Sequence, residues 1–296
     1  MMKRRIKHTV EYLFTVVAIF LVRLLPYRWA VGFGASLGWI TYRILGVRRE
    51  VTLRNLRASF GETYSEKELE RIGLEAYRNF GRSIAEYAVY DKLTFEQMKD
   101  LITEEGLEYF DEVRKEGKGA IWVTGHFGSW ELAGAYLAQR GCPVDFLVGE
   151  QHNLMVDGLM NRQRQRMGIG IIKMGTAAKG ILKSLKGNRF VAMLSDQDAG
   201  SDGAIVDFLG RPASTPKGPA AFALKAGSPL LTGFFIRREK YKHHLVVYPP
   251  INCEPSGDKE KDIENLTQAY TTKLEEAIRA HPDQWFWPHR RWKSTS

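Results

Sequence analysis

Val123-Thr124-Gly125-His126-Phe127-Gly128-Ser129-Trp130-Glu131 is the stretch on which the fold turns. Just before His126, Ala120 to Thr124 is short, mostly apolar and preceded by Gly117 and Gly119, the pattern of a buried strand. Further on, Ser129 is a good N-cap, and Trp130 to Gln139 keeps helical spacing until Gly141. A buried strand that turns tightly into a helix is the repeating unit of an α/β layer fold. Gly125 and Gly128 flank His126 and Phe127, where they make the turn or let the backbone approach a ligand. Glu131 falls in the first helical turn, where the helix dipole favours a negative charge. The spacing predicts that its carboxylate folds back onto the His126 imidazole. Such a pair holds one ring nitrogen and frees the other to take a proton from a hydroxyl. The plain alternative is a loop histidine ahead of a capped helix, because so short a motif recurs by chance.

Outward from this stretch the pattern splits in two. Before it the chain reads as helices. Val47 to Ser59 is amphipathic, Ser65-Glu66-Lys67-Glu68 is a capping box opening a helix through Tyr90, and Phe95 to Ile102 and Leu107 to Lys115 are helical. After it strands and helices alternate. The strands are Val144 to Val148, Gly170 to Lys173, Phe190 to Leu194, Leu230 to Ile236 and Leu245 to Tyr248. The helices are Met155 to Arg166, Ala177 to Lys186, Pro216 to Lys225 and Ile263 to Ala280. The expected fold is α/β, a central mixed sheet flanked by helices and preceded by a helical, membrane-associated N-terminal region. Residues 47–296 are expected to form one α/β domain. Pro255-Ser256-Gly257-Asp258 is a loop too short to divide it.

Charge is concentrated at the start. The chain carries +9 over 296 residues, and eleven basic against two acidic side chains in residues 1–60 account for all of it. A nucleic-acid enzyme spreads basic residues over its groove, so no nucleic-acid partner is expected. A basic arm mixed with apolar runs suits an anionic membrane surface. Tyr12 to Val22 is apolar or nearly so, near the lower limit of a spanning helix of ~17 residues when its flanks are included. Trp29 to Leu45 is a poorer span, interrupted by glycines and Arg43. Pro26-Tyr27-Arg28-Trp29 is too bulky for signal cleavage, so residues 1–46 read as an uncleaved anchor. They either span or lie in the interface, with the basic start on the cytoplasmic side. An ordinary buried helix is the alternative. Cys142 and Cys253 make no disulfide framework and read as buried fillers.

Further segments place candidate side chains. Arg162 and Arg166 share one helical face and Arg164 points elsewhere. A guanidinium there clamps a phosphate or meets a developing oxyanion; otherwise it is a solvated basic face. Asp196 and Asp198 follow a strand, at the edge where α/β folds bind ligands, in a turn-forming stretch. Ser214-Thr215-Pro216-Lys217-Gly218 reads as a capped helix start where Lys217 adds charge to an anion site. Three tryptophans lie among His289, Arg290, Arg291 and Lys293, suiting a membrane or glycolipid edge or simple packing.

His126 to Glu131 resembles the H-x-x-x-x-E/D motif of the lysophospholipid acyltransferase superfamily. More narrowly, four segments in order are similar to the bacterial lipid A late acyltransferase family, the lauroyl and myristoyl transferases. They are this motif, Asn161 to Gly168, Ser195-Asp196-Gln197-Asp198, and Trp285 to Lys293. The likeness covers roughly residues 8 to 293. It implies a functional arginine in the second segment; of the three there, Arg164 is favoured by its spacing to Asp196. It implies an O-acyltransferase at the inner membrane, its catalytic domain facing the cytosol. The enzyme would move a fatty acyl chain from acyl carrier protein, or coenzyme A, to a hydroxyl of a lipid A precursor. No cofactor beyond that co-substrate and no metal is expected. His126 is then the general base and Glu131 its orienter. Arg164, Arg166, Asp196 and Lys217 are candidate substrate-binding residues. Ser129, as an N-cap, need not be a nucleophile. The alternatives are acylation of another glycolipid such as a phosphatidylinositol mannoside, a metal-dependent hydrolase using His126, Asp196, Asp198 and His281 or His289, and a non-enzymatic membrane adaptor.

Overall fold

The computed structural model describes residues 2–252 and 256–295. Cys253 and Pro255 lie outside the described residues; Cys142 is free and buried. Four helices come first: α1 (Met2–Arg23), α2 (Tyr27–Arg43), α3 (Arg49–Phe60) and α4 (Glu66–Val89). There follow α5 (Phe95–Leu101), β1 (Ile102–Glu105), α6 (Glu108–Lys115), β2 (Ala120–Thr124) and α7 (Trp130–Gln139). The next run is β3 (Val144–Val148), α8 (Leu154–Arg166), β4 (Gly170–Lys173), α9 (Ala177–Lys186) and β5 (Phe190–Leu194). The chain closes with β6 (Ala204–Asp207), β7 (Pro212–Thr215), α10 (Gly218–Ala226), β8 (Leu230–Arg237), β9 (His243–Val247) and α11 (Lys259–Ala280).

Seven strands form one sheet in the order β1-β9-β8-β2-β5-β3-β4. It is mixed: β8 and β9 pair antiparallel, and every other neighbouring pair is parallel. β2 is buried at all five positions and its side chains alternate. Ala120 and Trp122 face the layer holding Phe110, Leu132, Tyr136 and Phe190. Ile121 and Val123 face Ile181, Val191, Leu266 and Tyr270 beneath α9 and α11. A strand buried on both faces needs an apolar run rather than alternation, as this sequence supplies.

Two sequence expectations change. Ile102, expected to end a helix, instead opens an edge strand that runs to Glu105 and pairs parallel with β9. Residues 204–215 form a separate antiparallel hairpin, so Ser214 and Thr215 are strand residues and the following helix begins only at Gly218.

α2 lies backbone to backbone on α4. A Cβ at Gly38 would fall 2.1 Å from the Tyr77 carbonyl oxygen, and one at Gly34 2.3 Å from that of Gly81. Two of the glycines that made Trp29 to Leu45 a poor span, Gly34 and Gly38, are therefore a close-packing seam. Away from it, α1 exposes Leu13, Phe14, Val17, Phe20 and Leu21, and α2 exposes Trp29, Phe33, Leu37 and Ile40. Among the described residues no helix is long and apolar enough to cross a membrane.

Candidate active site

β2 and β5 are parallel neighbours with Thr124 opposite Leu194. Two residues beyond each strand end stand His126 and Asp196, so the register itself brings them face to face. Ser195 N–H donates to the Thr124 carbonyl at 3.1 Å, extending the pairing one residue past the strands. From β2 the chain passes over β5 to β3, which opens a crevice at the carboxyl ends of these strands.

The loop carrying His126 is fixed by backbone. Gly128 has φ +58°, and a Cβ there would lie 1.7 Å from the Phe235 carbonyl oxygen, so only glycine fits. Gly128 N–H donates to Gln284 O at 2.9 Å and Phe286 N–H to His126 O at 3.1 Å. Ser83 Oγ donates to Gly128 O at 2.8 Å. The C-terminal segment thus staples the loop from above and α4 from the side.

Asp196 receives three donors. His126 Nδ1 is 2.8 Å from Oδ1, His126 N–H donates to Oδ2 at 2.7 Å, and Trp285 Nε1 donates to Oδ2 at 2.8 Å. Burial alone would raise its pKa, but the His126 charge and these bonds hold it down to about 2. An ionised carboxylate only accepts, so Nδ1 of His126 carries the hydrogen and Nε2 of the neutral ring is a free acceptor. Burial works against charge on His126 as well, but Asp196, with a smaller contribution from Glu131, outweighs it and raises the imidazole pKa. The His126 side chain keeps 22% of its surface exposed and lines a cavity of about 350 Å³. Trp122, Phe146, Met160, Ala192 and Met193 make its interior apolar. Phe80, Ile84, Trp130 and Phe286 surround the imidazole end, where the Trp130 ring stands edge-on to His126 at 5.1 Å.

Glu131 does not hold the imidazole as its spacing suggested. Its carboxylate takes two hydrogen bonds from Arg164, Nε at 3.1 Å and Nη2 at 2.5 Å. The reason is geometric: α7 leads its first turn toward α8, and a bidentate guanidinium outcompetes one imidazole N–H. Asn161 Oδ1 accepts from Arg164 Nη1 at 2.8 Å, and Asn161 is itself held by Asp157 at 3.0 Å. Glu131 and Arg164 both line the cavity, so this strut forms its polar wall.

Other candidates separate. Arg164 is buried, on a different face from Arg162 and Arg166 as the helical spacing indicated, whereas Arg166 is exposed and away from the cavity lining. Lys217 stands half-buried at the start of α10, 3.7 Å from Glu260, and is also absent from that lining. Asp198 accepts from Ser294 Oγ at 2.7 Å and so anchors the C-terminal tail. Ser129 makes no side-chain cap; its Oγ is buried without a partner among the described residues. Trp285, Trp287 and Trp292 are buried, which decides for packing over a membrane edge. Arg291 is buried too; its Nη1 donates to Ser214 O at 2.5 Å. Burial holds the Arg291 pKa down to about 10 and lowers that of His289. Sequence reasoning missed Trp285 as a donor to Asp196. A tryptophan indole N–H needs a partner once buried, and that was the available signal. Among the described residues no group of three or more His, Cys, Asp and Glu is placed to hold a metal ion.

A family described as bacterial lipid A biosynthesis acyltransferase matches residues 1–294. The chain is 26% identical over 227 residues to a phosphatidylinositol mannoside acyltransferase of Mycobacterium tuberculosis (strain CDC 1551 / Oshkosh), covering 74% of this chain and 68% of that protein. It is 25% identical over 274 residues to the lipid A biosynthesis palmitoleoyltransferase of Escherichia coli K12, covering 91% and 87%. It is 25% identical over 281 residues to the lipid A biosynthesis lauroyltransferase of the same strain, covering 93% and 89%.

Proposed function

The chain belongs to the bacterial lipid A biosynthesis acyltransferase family, and on that footing we propose that it is an O-acyltransferase moving a fatty acyl chain from acyl carrier protein, or coenzyme A, to a hydroxyl of a lipid A precursor glycolipid. One observation carries the reading: a proton-accepting imidazole, oriented by a buried carboxylate, opens onto an apolar cavity. Such cavities of ~300–1,000 Å³ suit small ligands, and this lining suits a hydrocarbon chain.

In the proposed reaction His126 Nε2 takes the hydroxyl proton as the oxygen attacks the thioester carbonyl. The carbon–oxygen ester bond forms and the carbon–sulfur bond breaks. The imidazolium then returns its proton to the departing thiolate. Asp196 positions the ring and stabilises its charged form. This replaces Glu131 as orienter; Glu131 instead holds Arg164, which faces the cavity as a positioned cation for the donor's carbonyl or phosphate. Buried Ser129 does not line the cavity, which supports direct transfer between the two substrates without an acyl-enzyme.

The apolar faces of α1 and α2, beside the basic start of the chain, support residence in the interface of the inner membrane with the catalytic domain in the cytosol. A second acceptor class follows from the mycobacterial relative, whose name specifies a phosphatidylinositol mannoside. The test is to incubate the purified protein with acyl-ACP or acyl-CoA and each acceptor, and read lipid masses. One added acyl group on the lipid A precursor is expected. A gain only on the mannoside would move the acceptor, and no gain on either would overturn the reading.

A further inference from the structure

A second cavity, of about 340 Å³, lies on the other side of the aromatic rings that front His126. It sits between α2, α4 and the C-terminal segment, lined among others by Leu37, Thr41, Val47, Ala76 and Tyr77. Phe80, Ile84 and Phe286 line both cavities. The Phe80 and Phe286 rings are 4.7 Å apart, and Phe286 is 6.3 Å from the His126 ring. Ile84 is 50% exposed, so the two cavities share an open rim there.

The hydroxyl groups that line the second cavity are already spent. Thr41 Oγ1 donates to Leu37 O at 2.8 Å, and Tyr77 OH to Val47 O at 2.5 Å. A polar occupant would lose its water without finding partners, so the cavity suits an apolar chain. Its lining continues outward through Leu37 into the exposed apolar face of α2, where Phe33 and Ile40 also lie. The one cation in the lining is Arg48, exposed, with a single bond to Pro288 O at 3.2 Å and no carboxylate partner among the described residues. Apolar depth with a guanidinium beside it that no carboxylate neutralises among the described residues describes a lipid tail attached to an anionic headgroup.

We infer that this second cavity takes an acyl chain already carried by the anionic acceptor glycolipid, while the cavity beneath His126 takes the chain being transferred. The inference rests on the acyl-transfer reading above. It assigns the acceptor rather than bulk phospholipid because the two cavities share Phe80, Ile84 and Phe286: a chain seated there brings its own headgroup to the shared rim, one aromatic ring away from His126. Acceptors without a chain would then bind weakly.

The test is photolabelling of the full chain in non-ionic detergent. The probes are N-palmitoyl-glucosamine 1-phosphate and phosphatidylglycerol, each with a mid-chain diazirine, and palmitoyl-CoA with a terminal diazirine. The glycolipid is expected to label the cavity walls at Val47, Ala76 and Tyr77. Thr41→Trp, and the milder surface change Leu37→Trp, should cut that labelling at least tenfold. Labelling by palmitoyl-CoA near Met160 and Phe146 should stay unchanged in both variants, which reports that they are folded. Glycolipid labelling confined to outer-face residues such as Phe14 and Phe33 overturns the inference. So do equal cavity labelling by phosphatidylglycerol and wild-type labelling in the folded variants. Labelling needs no turnover, so a parallel transfer assay on the wild-type protein shows separately whether the acyl-transfer reading has failed.

Discussion

In the proposed mechanism His126 is prepared as a base by the residue across the sheet from it, not by the one five positions along the chain. Asp196 fixes Nδ1–H and raises the imidazole pKa, so activity should show an acid limb above the ~6.5 of a free imidazole. The sign follows from the role: the neutral ring is the active form, so activity falls as pH drops through the raised pKa. His126→Ala should lower kcat by about 10²–10⁴-fold with the thermal melt preserved. Asp196→Asn should cost a similar factor, and its residual activity should show the limb displaced to lower pH, because the charge that raised the pKa is gone. Glu131→Gln acts through Arg164 and should raise KM for the acyl donor more than it lowers kcat. Steady-state kinetics across pH checks all three variants. At this scale the sequence identified His126, Arg164 and Asp196 as residues to watch. It paired His126 with the wrong carboxylate, because local spacing was visible and the β2–β5 register was not.

Between elements, apolar continuity was legible and edge pairing was not. β2 and β5 announce themselves because strands buried on both faces need unbroken apolar runs. β1, with Thr103 and two glutamates exposed, carries no such signal, and its strand character comes from pairing with β9. The β6–β7 hairpin hid behind Ser214-Thr215-Pro216, which reads equally well as a helix cap. Nothing local revealed the charged cluster joining α4, β8 and β9. There Glu86, fully buried, takes Arg237 Nη1 at 2.6 Å and Nη2 at 2.7 Å, with His243 Nε2 at 3.1 Å. Tyr27 OH, from the start of α2, also donates to Glu86 at 3.2 Å. Burial opposes ionisation of Glu86, but Arg237 and His243 hold its pKa well below the usual carboxylate range. Arg237→Met strands a buried carboxylate and should cost about 3–5 kcal/mol in denaturant unfolding. A loss under about 1 kcal/mol would show the cluster to be dispensable.

The whole molecule is built asymmetrically, with its net charge and most of its exposed large apolar side chains gathered at one end of the sequence. The sequence showed the charge directly. It left open whether the first helices span or lie flat, because amphipathic faces depend on what α4 covers. Flotation with liposomes should show binding that strengthens with anionic lipid and weakens with salt. Each basic residue near an anionic surface contributes about 1 kcal/mol, so replacing both Arg4 and Arg5 by Glu should weaken binding by at least about tenfold. Salt-independent binding would point to insertion driven by apolar surface alone.

The most direct test of how this site works is an NMR titration of the His126 ring in the wild-type protein, Asp196→Asn and Glu131→Gln. The imidazole pKa should fall most in Asp196→Asn and only slightly in Glu131→Gln. The larger fall in Glu131→Gln, or none in Asp196→Asn, would contradict the assignment of Asp196 as the carboxylate that prepares the base.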